Sequence, residues 1–225
     1  MSLLMESRKD GSSSVPDANP TVSIIDDDAD VRASIGRLLR SLAFDVQSFG
    51  SISDFLKSDP PDGPTCLVLD VRLPGRSGLD FQHELAAANR ELSIVFITGH
   101  ADVPMSVQAM KRGAIDFLTK PFRDQELLDA IQVGLARDRD RRENDEVLAA
   151  LRKRFESLSA REREIMIEVA RGRLNKQIAG DIGITEATVK VHRCRAMQKM
   201  RARSLLEFGR MSDKLKLVPE KQHHS

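Results

Sequence analysis

The sequence predicts a doubly wound α/β domain built on a five-stranded parallel sheet, then a helical linker and a small all-α domain. Three observations predict this. Strand-like and helix-like segments alternate from about residue 21 to residue 136. Beyond Leu158 only helical periodicity remains. Charge also divides between the halves, residues 1–136 carrying a net −7 and residues 137–225 a net +8. An acidic half joined to a basic half points to a polyanionic partner for the second half alone.

Residues 1–20 are rich in Ser, Asp and Pro and read as a disordered tail rather than a signal peptide. Val22–Ile25 is the first apolar run and ends in Asp26-Asp27. Val31, Ile35, Leu38, Leu39 and Leu42 then fall at helical spacing and give one apolar face. Phe44 to Phe49 alternates as a strand, and Ile52 to Leu56 begins a short helix before the breaker cluster at residues 60–64. Cys66–Leu69 runs into Asp70, the loop 73–78 follows, and a helix is expected from about Leu79 to Asn89. Ile94–Ile97 ends in Thr98, with a helix from about Pro104 to Arg112 closed by Gly113. Ala114–Leu118 precedes Thr119-Lys120-Pro121, where a cis Lys-Pro bond would aim the lysine inward. Leu127, Leu128, Ile131 and Leu135 mark the next helix. β-α alternation of this kind predicts a parallel sheet with helices on both faces.

Residues 137–157 are highly charged, yet Leu148, Leu151, Phe155 and Leu158 keep heptad-like spacing. Such a seam serves either a short coiled coil or a helix lying against its own domain. Ser159 and Glu162 fit a capping box, and Gly172 ends that helix. Asn175 is expected to cap a short helix carrying Ile178, Ala179 and Ile182. After the turn at Gly183-Ile184, Thr185 caps a longer helix to about Met200. Two helices joined by a glycine-containing turn match a helix-turn-helix. Domain bounds follow as a tail at 1–20, an α/β domain at 21–136, a linker at 137–157, a helix-turn-helix domain at 158–210 and a tail at 211–225.

A parallel sheet of order 2-1-3-4-5 binds ligands beyond the ends of strands 1 and 3. Those are the strands that end in Asp26-Asp27 and Asp70. Crowded carboxylates need a cation, a proton or a reaction, and an all-oxygen set suits Mg²⁺ or Mn²⁺. A two-metal hydrolase would call for more ligands, and His83 and His100 do not sit at strand ends. One carboxylate beside a hard cation suits phosphoryl transfer onto Asp70, with Lys120 adding positive charge and Thr98 a hydroxyl donor.

Ile24 to Asp28, Leu69 to Gly75, Phe96 to Gly99 and Phe117 to Phe122 together resemble the flavodoxin-like receiver domain of two-component response regulators. The resemblance implies that Asp70 accepts phosphate from a partner histidine kinase. It further implies that Asp27, Asp70 and the backbone carbonyl of Arg72 hold Mg²⁺, with Asp26 acting through water. Thr98 would turn toward the phosphate and Phe117 would follow as the switch residue. Many relatives carry Tyr there, and Phe lacks its hydroxyl.

In the basic half, no acid occurs between Glu186 and Glu207. Lys190, Arg193, Arg195, Lys199, Arg201 and Arg203 lie on or just beyond one predicted helix, a pattern suited to phosphate contacts. Val189, Ala196 and Met200 fall on one stripe expected to face the core, which leaves Lys190, Val191, Cys194, Arg195 and Gln198 outward. Leu158-Ser159, Arg161–Glu164, Asn175–Ala179, Ile184-Thr185 and Thr188–Arg193 resemble the effector domain of the FixJ/NarL/LuxR type. The expected DNA-facing set is Thr185, Lys190, Val191, Arg193, Cys194, Arg195 and Lys199, with residues 190, 191 and 194 nearest the base edges. Where some relatives have Lys, this chain has Cys194.

The resemblances together imply a transcription regulator and not an enzyme, with only slow Mg²⁺-dependent self-phosphorylation and dephosphorylation. Its partners would be a histidine kinase, promoter DNA, RNA polymerase and, once phosphorylated, a second copy of itself. A rival from another class is a Mg²⁺-dependent phosphatase working through Asp70. A haloacid-dehalogenase-like enzyme would carry an acid two residues after its nucleophile, where this chain has Arg72. A third alternative is a protein-interaction module acting through the acidic domain alone. No apolar run approaches the roughly 20 residues that span a bilayer. Cys66 and Cys194 share no ligand spacing, so a reducing cytoplasm is the expected location and no membrane partner is expected.

Overall fold

The computed structural model describes residues 19–88, 90–100 and 102–217. Most of the expected N-terminal tail, and residues 218–225, lie outside the described residues. Chain contacts divide into two units, Met1–Arg142 and Glu143–Ser225.

In the first unit β1 (Thr21–Ile25), β2 (Asp45–Phe49), β3 (Thr65–Asp70), β4 (Ile94–Thr98) and β5 (Asp116–Thr119) form one parallel sheet in the order β2-β1-β3-β4-β5. The apolar runs of β1, β3 and β4 are buried almost throughout, as expected of central strands covered on both faces. On one face Val22, Ile24, Val68, Val95 and Ile97 pack against α1 (Ala29–Ser41) and the first half of α5 (Asp124–Glu156). On the other, Ile25, Leu67, Leu69 and Phe96 pack against α2 (Ile52–Lys57), α3 (Gly78–Ala87) and α4 (Val103–Lys111). Burying each such aliphatic side chain stabilises the fold by roughly 1.5–3 kcal/mol before chain entropy is counted.

Helix limits follow local chemistry. Asp28 caps α1 by accepting from the backbone N–H groups of Asp30 and Val31, at 2.8 and 3.2 Å. Ser51, Ser77 and Asp102 do the same for α2, α3 and α4. Leu42, expected on the apolar face of the first helix, is instead its C-cap and is 49% exposed, because the chain turns away at Ala43. Gly134 lets α5 lie close on β3, since a Cβ there would stand 2.7 Å from Cys66 Sγ. Cys66 is buried, and burial pushes its thiol up to about 12.

The start of β3 is tied to α5 by Asp138, only 1% exposed. Its Oδ2 accepts from the Thr65 N–H at 2.9 Å and from Arg142 Nε at 2.8 Å, and its Oδ1 from Arg141 at 2.6 Å. Arg142 also donates to the carbonyls of Pro61 and Asp62. Burial alone would raise the Asp138 carboxyl, but hydrogen bonds from Arg141, Thr65 and Arg142 outweigh it and hold it below the usual carboxylate range. Its folded value lies below its unfolded one, so its contribution is complete above the unfolded value, about 3.9, and is lost as pH falls through the folded one. Urea unfolding should therefore find Asp138→Asn less stable than wild type at pH 7, with the gap closing as the pH falls below 4.

In the second unit, α6 (Ala160–Ala170), α7 (Asn175–Ile182), α8 (Glu186–Met200) and α9 (Leu205–Lys214) enclose two apolar clusters. Leu151 and Leu158, with Phe155 beside them, pack against Met166, Ala196, Met200 and Phe208. The heptad-like seam thus serves its own domain, the second of the two alternatives the spacing allowed. Residues 211–217, expected in the C-terminal tail, belong to this core: Met211, Leu215 and Leu217 pack against the cluster and Ser212 is fully buried. The capping box at Ser159 and Glu162 forms as predicted. At α7 the N-cap is Leu174 rather than Asn175, and Gln177 Oε1 accepts from the Leu174 N–H at 2.9 Å. Gly183 closes α7 in the left-handed conformation, φ 67°, which glycine adopts without a Cβ penalty.

Candidate functional site

Parallel pairing brings the C-terminal ends of β1, β3, β4 and β5 to one edge, where each run ends in a polar residue. Asp26 and Asp70 are 0% and 6% exposed, whereas Asp27 is open to solvent. Ligand oxygens of the three carboxylates lie within 4.8 Å of one another. Lys120 Nζ stands between two of them, donating to Asp26 Oδ2 and Asp70 Oδ2, each at 2.6 Å. The remaining oxygens meet the backbone: Asp26 Oδ1 accepts from the Asp28 N–H at 2.9 Å and Asp70 Oδ1 from the Arg72 N–H at 2.8 Å.

Electrostatics follow from this geometry. Burial raises the Asp26 carboxyl, helped by Asp70, while Lys120 and the Asp28 N–H only partly offset it. Burial opposes the charge on Lys120, but the hydrogen bonds it donates to Asp26 and Asp70 outweigh that cost and raise the ammonium above its ordinary value. The lysine is held charged while one neighbouring carboxylate is hard to ionise. An exposed carboxylate, two buried ones and a nearby backbone make an all-oxygen donor set that fits a hard divalent cation.

Thr98 is fully buried at the end of β4, with Oγ1 in hydrogen-bond reach of the His100 carbonyl and N–H at 3.2 and 3.3 Å. Its own carbonyl accepts from the Lys120 N–H at 2.8 Å, which fixes the strand ends together. The Lys120-Pro121 bond is cis. Phe117 is half-buried on β5, its ring 6.1 Å from that of Phe96. Gly78 lies so near β3 that a Cβ there would stand 2.5 Å from the Asp70 carbonyl. Arg32, which no sequence pattern singled out, donates to the Asp26 carbonyl at 2.6 Å.

On α8, Val189, Ala196 and Met200 are buried as their spacing predicted, and Lys190, Val191, Cys194 and Arg195 are exposed. Two expected DNA-facing cations are engaged within the domain. Lys199 Nζ donates to Glu162 Oε2 at 2.7 Å, and Arg193 donates to Asn175 Oδ1 at 3.0 Å. The Lys199 hydrogen bond is the main reason that the Glu162 carboxyl lies below its ordinary value, burial opposing it. Thr185 Oγ1 accepts from the Thr188 N–H at 3.2 Å and so works as the helix cap. Asn175, expected as a cap, orients Arg193 instead.

Comparison with known proteins identifies the two domains that carry these residues. Residues 22–132 match the response regulator receiver domain, and residues 156–212 match the bacterial regulatory proteins of the luxR family. Nodulation protein W of Bradyrhizobium diazoefficiens is 54% identical over 194 residues, covering 86% of each chain. The chain belongs to the response-regulator family.

Response regulator protein TodT of Pseudomonas putida is 44% identical over 200 residues, covering 89% of this chain and 88% of its own. The solved structure of response regulator StyR is 48% identical with a TM-score of 0.76, covering 88% of this response regulator and all of StyR. The fold is thus a flavodoxin-like receiver followed by a helical region with a LuxR-type helix-turn-helix domain. Such a chain is a phosphorylated regulator of transcription, with a histidine kinase and DNA as partners. Both matched families are regulators, which sets the phosphatase alternative aside. Receivers generally bind Mg²⁺ through acidic residues, and this response regulator has the acidic cluster. Among the described residues no helix is long and apolar enough to cross a membrane.

Proposed function

We propose that Asp70 is the phosphoacceptor of this response regulator. The observation that carries this is the contact of Asp70 Oδ2 with the Lys120 ammonium, 2.6 Å away, beside the carboxylates of Asp26 and Asp27. An Asp70 carboxylate oxygen attacks the phosphorus of the kinase phosphohistidine. The new P–O bond forms as the P–N bond breaks, and the imidazole leaves with the electron pair. Asp27, Asp70 and the Arg72 carbonyl would hold Mg²⁺, with Asp26 bonded through water. Bound there, the ion neutralises charge on the transferring phosphoryl oxygens. Lys120 exchanges its contact with Asp70 for a phosphoryl oxygen, and Thr98 Oγ1 exchanges His100 for another. Phe117 moves into the space that Thr98 leaves. Water attacking the same phosphorus returns Asp70 slowly to its free form.

The phosphate shifts the receiver between two states to the extent that it binds them unequally. Val103, Val107 and Met110 lie exposed along α4 and supply an apolar face for a second copy in the switched state. Dimerisation sets two α8 helices about 34 Å apart on promoter DNA, where the assembly contacts RNA polymerase. In this scheme residues 21–136 are the receiver, 137–157 the linker whose last turns pack into the second core, and 158–217 the DNA-binding domain, acting in the cytoplasm.

Labelling with acetyl phosphate and Mg²⁺ tests the site. Wild type should incorporate phosphate and Asp70→Asn should not; equal labelling of both would sink the assignment. For the output, Arg195→Ala should weaken DNA binding whatever the sequence, and Lys190→Ala should weaken it while also relaxing the preference among sequences. Each should reduce the slope of log K against log salt by about 0.9 if it removes one phosphate contact. A slope unchanged in both variants would turn α8 away from the backbone.

A further inference from the structure

Of the three carboxylates in the acidic cluster, Asp27 is the exposed one. Lys120 and backbone N–H groups fix Asp26 and Asp70. Among the described residues no hydrogen bond reaches the Asp27 side chain. The direction of that carboxylate therefore depends on the backbone that carries it.

The backbone is tied on both sides. After Asp27, the Asp28 side chain caps α1, and its carbonyl accepts from the Arg32 N–H at 3.1 Å. Before Asp27, the Asp26 N–H donates to the Phe49 carbonyl at 3.3 Å. Pairing of β1 with β2 ends at Ile25 and Phe49, so the Asp26 carbonyl lies beyond the ladder. Arg32, half-buried in the first turn of α1, supplies the missing donor, its Nη1 standing 2.6 Å from that carbonyl oxygen. The same nitrogen is 3.9 Å from where a Cβ on Gly50 would stand, which sets the guanidinium between the ends of β1 and β2.

The carbonyl that Arg32 holds belongs to the peptide plane joining Asp26 to Asp27. Because that plane is rigid, turning it changes ψ of Asp26 and φ of Asp27 together and swings the Asp27 side chain. A charged donor resists the turn about twice as strongly as a neutral one. The same positive charge works against a nearby cation. Holding the peptide and repelling the ion are thus effects of opposite sign on cation affinity, and a measurement separates them.

We propose that Arg32 is a positioning residue for the divalent cation, holding the Asp26–Asp27 peptide so that the Asp27 carboxylate is aimed at the ion. The role rests on the assignment of Asp27 as a cation ligand made under the proposed function. It acts through the backbone, from a helix whose remaining side chains serve the core or the surface.

The test is Mn²⁺ binding to the full chain, read from the electron paramagnetic resonance signal of the free ion. Wild type is compared with Arg32→Met, Asp27→Asn and the two together. Methionine keeps the aliphatic stem and removes every donor, and circular dichroism should show the fold unchanged. Arg32→Met should bind Mn²⁺ about tenfold more weakly than wild type, the lower end of losing a group that orients a metal ligand. Loss of the charge alone would tighten binding, so weakening has to come from the lost hydrogen bond. Asp27→Asn should also bind weakly, and adding Arg32→Met to it should weaken binding no further, because the arginine acts through Asp27. Arg32→Lys should recover part of the affinity, with one donor in place of a planar fork. Arg32→Met binding as tightly as wild type, or more tightly, would overturn the proposal while leaving the cation site intact. So would a further tenfold loss in the double variant, the result of a merely structural role. Asp27→Asn binding like wild type would remove the cation assignment itself, and the positioning role with it.

Discussion

Lys120→Met should take up phosphate from acetyl phosphate about a hundredfold more slowly than wild type, the scale of losing one fixed charge at a developing oxyanion. Lys120 is the cation placed directly against the carboxylates, 2.6 Å from both Asp26 and Asp70. Its raised pKa keeps it protonated well above neutral pH. Methionine keeps most of the stem and removes the charge, so packing against β5 survives. Removing the lysine also removes a competitor for the carboxylates, so divalent-cation affinity should rise while the rate falls. The rate is therefore to be measured at saturating Mg²⁺, where only the loss of charge at the phosphoryl group remains. An undiminished rate there would remove Lys120 from the reaction. Lys120→Arg should recover part of the rate, since charge returns but a planar guanidinium replaces a point donor.

The second large effect belongs to the DNA-binding half. Phe208→Ala should destabilise it by about 3–5 kcal/mol, the cost of emptying a large aromatic site in a packed core. Phe208 is fully buried at the meeting of α6, α8 and α9, with Met166, Ala196, Met200 and Leu158 around it. A loss of that size is a large share of what a small domain has. Chemical unfolding followed by circular dichroism should show the early transition, and DNA binding should vanish with it. The same packing predicts that a fragment starting at Glu143 outlasts one starting at Ala160. The shorter piece lacks Leu151, Phe155 and Leu158, which lie in the same cluster.

Much of this was legible in the sequence where a single strand or helix carried its own signal. Runs of Val, Ile and Leu that stop at Asp26, Asp70 and Thr98 mark strand ends without any knowledge of their neighbours. The inward stripe of α8 was readable for a similar reason, as Val189, Ala196 and Met200 obey one helical period. Contacts between distant residues left no such trace. Lys199 looked like one more exposed cation, yet it meets Glu162, 37 residues earlier, because α6 crosses α8 there. Asn175 fits the chemistry of a cap, but its carboxamide serves Arg193 and the cap passes to Leu174. Asp138 sat unnoticed in a charged stretch, and only the folded chain brings the start of β3 against it.

The division of α8 into two sets of side chains has a consequence for how such regulators diversify. Val189, Ala196, Met200 and Lys199 fasten the helix to its domain, while Lys190, Val191, Cys194 and Arg195 are exposed on its other side. The outer four can therefore be exchanged as a set without disturbing the scaffold. Where α8 contacts DNA as proposed, promoter choice is free to drift on one side of a helix whose other side is held still.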